Sequence, residues 1–458
     1  MTRRSFGAHA LRLAKGLACA LGLAGCGEST QETTAELGHS PASRLTECPE
    51  LDTSICDIGT PECQRRMWDI ARCLRGGAEE AMPPISVMTP TAYAAELRAE
   101  LPAQPSTEVK SYETALAMLG LMPPGALESD AYVAEQLSWL GGVYRPEKGD
   151  IVVLDRTSQP QPRTIIGEGL YAQSLEWHSL SPTLVHEFVH ALQDREIGLN
   201  DFSEAHSSSS DASWAAQAVI EGEARWLDVR YSAATLGLDP EKVDWQSYFE
   251  NSIERSSREQ LVAGKTPLQS LRRTLVYFWG GRFVSEAWQK RKHAGVVELQ
   301  LDPPEHALTV MGGHTPELPA ASFAGLAPGA EWELVGDDEL GSLGVLAAMS
   351  SAGGMSAVPD FDAALEIALA WRGDELKVFT SRSESGGSPT DAGTPSGSHV
   401  LVAWQIEFAQ EASANAFLER QRQRGEFTRS SSLLTRTGTR VLVLAATRAV
   451  DWGFADTG

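Results

Sequence analysis

The sequence is short of positive charge. Lys and Arg number 38 against 61 Asp and Glu, giving a formal net charge of −23 over 458 residues. So acidic a surface repels phosphate backbones, which excludes nucleic acid as an expected partner. Long hydrophobic runs are also missing: beyond the N-terminal segment no stretch is long and apolar enough to span a bilayer. Histidine is scarce at 10 and cysteine at 6, so a cluster of either type carries weight. The remainder is ordinary globular material, 42% hydrophobic and 22% charged. The chain is long enough for two or three domains.

The N-terminus "MTRRSFGAHALRLAKGLACALGLAGC" has a basic start and a short apolar run from about Gly16 to Gly25. That is the grammar of a signal peptide over 1–25. "LAGC" (Leu23 to Cys26) resembles a bacterial lipobox, which implies lipidation at Cys26; a plain secretory signal is the alternative. Gly27 follows the lipidated position, so an exported outer-membrane lipoprotein facing the periplasm or the cell surface is expected. It would touch the membrane through its lipid anchor only. Residues 26–47, polar and rich in Ser and Thr, read as a flexible tether.

Four cysteines remain for the mature chain: Cys48, Cys56, Cys63 and Cys73. An even number in an oxidising compartment reads as two disulfides, with three possible pairings. "CQRRMWDIARC" looks helical and "DIGTPE" before it looks like a turn. The nested pairing of Cys48 with Cys73 and Cys56 with Cys63 is therefore expected, in a helical hairpin over 48–80. A four-cysteine zinc site is the alternative, but no pair has the two-residue spacing of a zinc knuckle.

Further along, "PPISVMTPTAYAAELRAEL" reads as a short strand then a helix, and "SYETALAMLGLMPP" as a helix stopped by Gly120 and Pro123-Pro124. "GGVYRPEKGDIVVLD" reads as two strands joined by a turn. A helical region runs from 181 to about 295. From 330 to 458 strand-like and helical runs alternate, with a Gly/Ser/Pro-rich mobile loop expected at 381–398 and a hairpin turn at "TRTGTR". The fold class expected is α+β, in two parts. A mainly helical catalytic domain over 84–320 carries a small edge sheet, and a small α+β C-terminal domain follows at 330–458.

The chemically informative stretch is "SPTLVHEFVHALQD", residues 181 to 194. Ser181 is a good N-cap, Pro182 suits the first helical position, and no breaker follows. On a helix His186 and His190 project from one face, roughly 6 Å apart at Cβ, which lets two imidazoles share one zinc ion. Glu187, turned about 100° away, can flank the metal without ligating it. Two satisfied core histidines are the plainer alternative, but with histidine so scarce a chance His-Glu-x-x-His is improbable. A third ligand is required. "AAQAVIEGEARWLDVRY" (215 to 231), a second helical run, offers Glu221 and Glu223. Small neighbours beside Glu221 would let two helices approach, with Gly222 giving backbone clearance. Glu223, on the more apolar face, could instead bond a ligating histidine. "GLNDFSEAHSSSSDAS" between the two helices looks like an inserted loop.

The helix with HExxH followed by "EGEA" (221 to 224) resembles the zincin metalloproteases of the gluzincin type. The resemblance implies zinc held by His186, His190 and Glu221, with Glu187 as catalytic base. "VYFWGGRFV" (276 to 284), "LDPPEHALTV" (301 to 310) and, more loosely, "AWRGDELKVF" resemble landmarks of uncharacterised bacterial lipoprotein metalloproteases. "EHALTV" departs from the Ser-Thr-Glu-containing sequence found there in such families. The function expected is a lipid-anchored zinc peptidase acting on a peptide or protein substrate through a zinc-activated water, with Glu187 as general base. A zinc amidase or other hydrolase of cell-envelope material, or a surface-binding lipoprotein with a structural zinc, are the alternatives. Tyr277 and His293 are candidates for stabilising the oxyanion. His178, His206 and His314 are read as surface or capping residues, and Asp194 as a helix cap. An edge strand near "GDIVVLD" could receive an extended peptide.

Overall fold

In the computed structural model the residues described are 45–76, 80–102, 105–155, 180–262, 267–312, 329–351, 360–381, 399–423 and 432–447. The leader 1–25, Cys26, most of the tether, the loop at 382–398, His178 and His314 lie outside them. The protein is mixed α+β, mostly helical, with two small sheets.

The first helix, α1 (Pro61–Arg75), starts at a Thr60 N-cap with Pro61 behind it and stops at Gly76, whose φ of 79° is the left-handed C-cap that glycine favours. Disulfides Cys48–Cys73 and Cys56–Cys63 staple the segment around it, which is the nested pairing expected. They point to an oxidising, exported environment. The stapled unit packs on the HExxH helix, with Trp68 edge-on to Phe188 at 5.2 Å. Next come β1 (Ile85–Met88), α2 (Pro90–Glu100), α3 (Thr107–Met118) and α4 (Ser129–Trp139), then β2 (Gly142–Arg145) and β3 (Asp150–Leu154). The strand order is β1-β3-β2, parallel then antiparallel. "GDIVVLD" thus supplies the central strand, not the edge. The edges are β1 and β2, and the Tyr144 N–H of β2 is already donated to Glu187 at 2.7 Å.

The helical layer is α5 (Leu180–Ile197), α6 (Leu199–Ala205), α7 (Ser210–Thr235), α8 (Trp245–Val262) and α9 (Pro267–Thr274). A π-helical turn (Leu275–Trp279) leads into α10 (Gly280–Arg291), α11 (His293–Leu301) and α12 (Ala307–Gly312). Two expectations are corrected here. Ser181 is not the N-cap: α5 begins at Leu180, and the Ser181 hydroxyl instead donates to the Cys56 carbonyl at 3.2 Å. The supposed inserted loop between the motif helices is largely helical. Gly198 (φ 66°) turns the chain, Asp194 accepts from Leu199 N at 2.7 Å, and α6 follows. Asp194 therefore caps, as expected. His206 also caps, its ring nitrogen 2.8 Å from the Phe202 carbonyl.

The last part comprises β4 (Trp332–Asp338), α13 (Gly341–Ser350), α14 (Phe361–Leu369), β5 (Trp371–Ser381), β6 (Val400–Phe408), α15 (Glu411–Gln423), β7 (Ser432–Thr437) and β8 (Arg440–Ala446). The five strands run in order β4-β5-β6-β8-β7, all neighbours antiparallel. The β7–β8 turn at Gly438 is the hairpin expected. One continuous apolar core joins this sheet to the helical layer. A polar seam accompanies it. Buried Asp374 accepts from both Trp371 and Trp404 Nε1 and from the Leu340 and Gly341 amides. Asp338 takes the Ser210 amide at the start of α7, and Asp211 holds His306 at 2.9 Å.

α7 is the axis of the molecule and is buried along nearly its whole length. Gly222 does give clearance, but to α10 and not to the HExxH helix: a Cβ there would lie 2.5 Å from the Gly280 carbonyl carbon. Gly222→Ala should therefore lower stability by about 1–3 kcal/mol through overpacking, read as a drop in the thermal midpoint by circular dichroism. An unchanged midpoint would mean that the two helices do not meet there.

Candidate metal centre

α5 and α7 lie side by side, and their facing residues build the site. One turn of helix puts His186 and His190 on the same face. Their Nε2 atoms lie 3.1 Å apart, and each is 3.3 Å from Glu221 Oε2. All three side chains are buried. Between Glu221 and Glu223 the structure chooses the former.

The proton inventory shows what this cluster wants. His186 Nδ1 faces Asp228 Oδ2 at 3.0 Å, and His190 Nδ1 faces Gln193 Oε1 at 2.7 Å. Both partners accept, so each neutral imidazole carries its proton on Nδ1 and presents a lone pair from Nε2. Two lone pairs and a carboxylate oxygen thus converge with no hydrogen between them. That arrangement repels itself unless a cation sits at its centre. Ligands about 2.0–2.1 Å from a tetrahedral ion are roughly 3.3 Å from one another, which matches the separations found. Glu221 Oε1 is buried without a hydrogen-bond partner, as a carboxylate committed to an ion can be. The residues fit a divalent metal.

Without a metal, a shared proton takes the place of the cation. Burial opposes charge on His186, yet Asp228, Glu221 and Glu187 outweigh it and raise the pKa to about 10. Burial likewise opposes ionised Glu221, yet the two imidazoles pull it to about 2. Burial pushes Glu187 up to about 7.

Supporting groups hold the ligands. Asp228 also pairs with Arg225 at 3.2 Å, and Arg225 reaches Tyr248 Oη. Glu223 does not bond a ligating histidine, as the sequence had allowed. It accepts from Gln193 Nε2 at 2.8 Å, and through Gln193 it acts on His190; its charge is balanced by Arg75 at 3.1 Å. Sequence reasoning missed Asp228 and Gln193. The signal existed for the first, since 221 and 228 are seven apart and share a helical face. For Gln193, three residues after His190, nothing set it apart from any helical glutamine.

Glu187 sits beside the metal ligands. Its Oε2 accepts from Tyr144 N at 2.7 Å, while its Oε1 is buried without a partner. Gly142 makes this approach possible: a Cβ there would come within 3.1 Å of Glu187 Cγ and 2.9 Å of Thr183 Cγ2. The π-helical turn carries Tyr277 to the site, its ring 6.0 Å from that of His186. Burial, with Glu221 and Glu187 nearby, raises its hydroxyl pKa well above the ordinary value, so it stays protonated. His293 lies instead beside Glu223, its Nδ1 3.8 Å from Glu223 Oε1. A second donor group, Asp211, His306 and Glu339, lies in the seam between α7 and the C-terminal sheet.

Comparison with family models, with curated proteins and with solved structures finds no match for this chain. The two glutamates of α7 should separate by mutation. Glu221→Ala should abolish stoichiometric divalent metal, measured by elemental analysis of the purified protein. Glu223→Ala should keep the metal with roughly 10–100-fold weaker affinity and lose about 3 kcal/mol of stability, because Arg75 loses its buried partner. The reverse pattern would transfer the ligand role to Glu223.

Proposed function

We propose that the protein is a zinc peptidase of the zincin type, in which His186, His190 and Glu221 hold the metal and Glu187 moves the proton. The convergence of two imidazole lone pairs and one carboxylate oxygen at 3.1–3.3 Å, with an unpaired carboxylate oxygen of Glu187 beside them, is the observation that carries this reading. Two borderline imidazole nitrogens and one carboxylate oxygen form a donor set that suits zinc, and three protein ligands leave a coordination position for chemistry. When bound, zinc supplies Lewis acidity toward a carbonyl and makes a water acidic near neutral pH.

The chain's own residues supply the rest. Glu187 Oε2 is fixed by the Tyr144 amide, which leaves Oε1 free to take the proton of the attacking water and return it to the leaving amine. Asp228 and Gln193 keep both ligating rings in the tautomer that points a lone pair at the metal. Tyr277, neutral and beside His186, is the best-placed donor for a developing oxyanion. The carboxylate of Glu187 beside the ligands favours this reading over a structural zinc site, which has no need of a base. The lipobox-like segment and the disulfides support a peptidase anchored by lipid outside the cytoplasm.

Glu187→Gln should bind zinc as the parent does while hydrolysis of an unfolded protein such as casein falls at least about 10²-fold. Equal hydrolysis by the two proteins would refute the mechanism. Cleavage of cell-wall amides with casein left intact would convert the assignment to an amidase.

A further inference from the structure

A cavity of about 230 Å³ opens between α3, α4, α9 and the N-terminal part of α7. At ~30 Å³ per water it has room for about seven, the space of one large side chain. Its walls are mostly apolar and include Leu116, Tyr132, Trp214 and Leu268. Two polar donors on lining residues break that pattern. Arg272 Nε and Trp139 Nε1 are sealed from solvent and have no acceptor.

The charge on Arg272 is the anomaly. Neighbouring Arg273 pairs with Glu135 and stacks on the Trp139 ring at 5.4 Å. Arg272 forms no ion pair among the described residues; its one hydrogen bond goes to the neutral Gln217 Oε1 at 2.9 Å. Burial holds its pKa below the ordinary arginine value, but a guanidinium stays protonated at any physiological pH. A half-buried guanidinium with no carboxylate in contact leaves most of its hydrogen-bonding capacity unused, and a bound anion would fill it.

The location relates this cation to the metal centre. Gln217, which holds Arg272, and Glu221 are four apart on α7 and share a face, about 6 Å along the axis. Glu221 is also among the carboxylates whose charge acts on Arg272.

We propose that this cavity binds the C-terminal residue of a peptide substrate, its large apolar side chain among Leu116, Tyr132, Trp214 and Leu268 and its α-carboxylate on Arg272. The inference deepens the peptidase reading and rests on it for the word substrate. The enzyme would then act near a free C-terminus.

Binding is tested without turnover, by calorimetry on the full-length zinc-loaded Glu187→Gln protein and on metal-free His186→Ala. The probes are N-acetyl-L-phenylalanine, its neutral amide, and the α-amide of N-acetyl-L-glutamate. The acid should bind at least 10-fold more tightly than either of the others in both proteins. Arg272→Gln should erase that preference without lowering the thermal midpoint, and Arg272→Lys should restore part of it. Equal binding of acid and amide, or a preference that survives Arg272→Gln, overturns the subsite. Preference for the glutamate probe overturns the α-carboxylate assignment. In turnover, peptides ending in Phe acid should have a KM at least 10-fold below that of the matching amides. Selective binding with no hydrolysis of any peptide would defeat the peptidase reading and leave the subsite standing. Hydrolysis without selectivity would do the opposite.

Discussion

Two imidazole nitrogens and a carboxylate oxygen are held within 3.3 Å of one another in a place that water barely reaches. Each offers electron density, and none offers a proton to the others. Such a cluster is stable only around positive charge, and the surrounding structure is arranged to keep it that way. Asp228 and Gln193 fix the tautomers, and Arg225 and Arg75 neutralise the carboxylates that do so directly or through a neighbour. Removing the central cation leaves a proton as its replacement, which is why His186 and Glu221 are driven in opposite directions from their ordinary pKa values.

The scaffold makes this arrangement rigid through close backbone contacts. Gly222 against Gly280 locks α7 to α10, and Gly142 brings the edge strand β2 onto α5 so that a backbone amide can orient Glu187. The disulfide-stapled segment closes the back of the site, contributing Arg75 to Glu223 and Trp68 to the core beside Phe188. A π-helical turn, a strained local feature often kept for a reason, delivers Tyr277 beside His186. The C-terminal sheet takes part at a distance, through Asp338 and Glu339, which bond the amides at the start of α7.

α7 thereby connects three features with one helix. Its N-terminus is anchored to the C-terminal sheet, its next turns wall the apolar cavity through Trp214 and hold Arg272 through Gln217, and its middle carries Glu221 to the metal centre.

The metal-binding face was legible in the sequence. His186 and His190 sit four apart in a breaker-free run, and a spacing of four is enough to set two side chains on one face of a helix. The β2–β3 turn and the nested cysteines followed from local rules of the same kind. Local rules could not choose between Glu221 and Glu223, because both lie on one helix and only the position of α5 decides which faces the histidines. They gave Gly222 the wrong partner, since a glycine declares that something comes close but not what. They said nothing of Gln193 as a bridge, of Arg272 as a cation without an acid, or of the cavity it lines. Those are properties of what packs against a residue, and neighbours far apart in the chain are supplied by the tertiary structure alone.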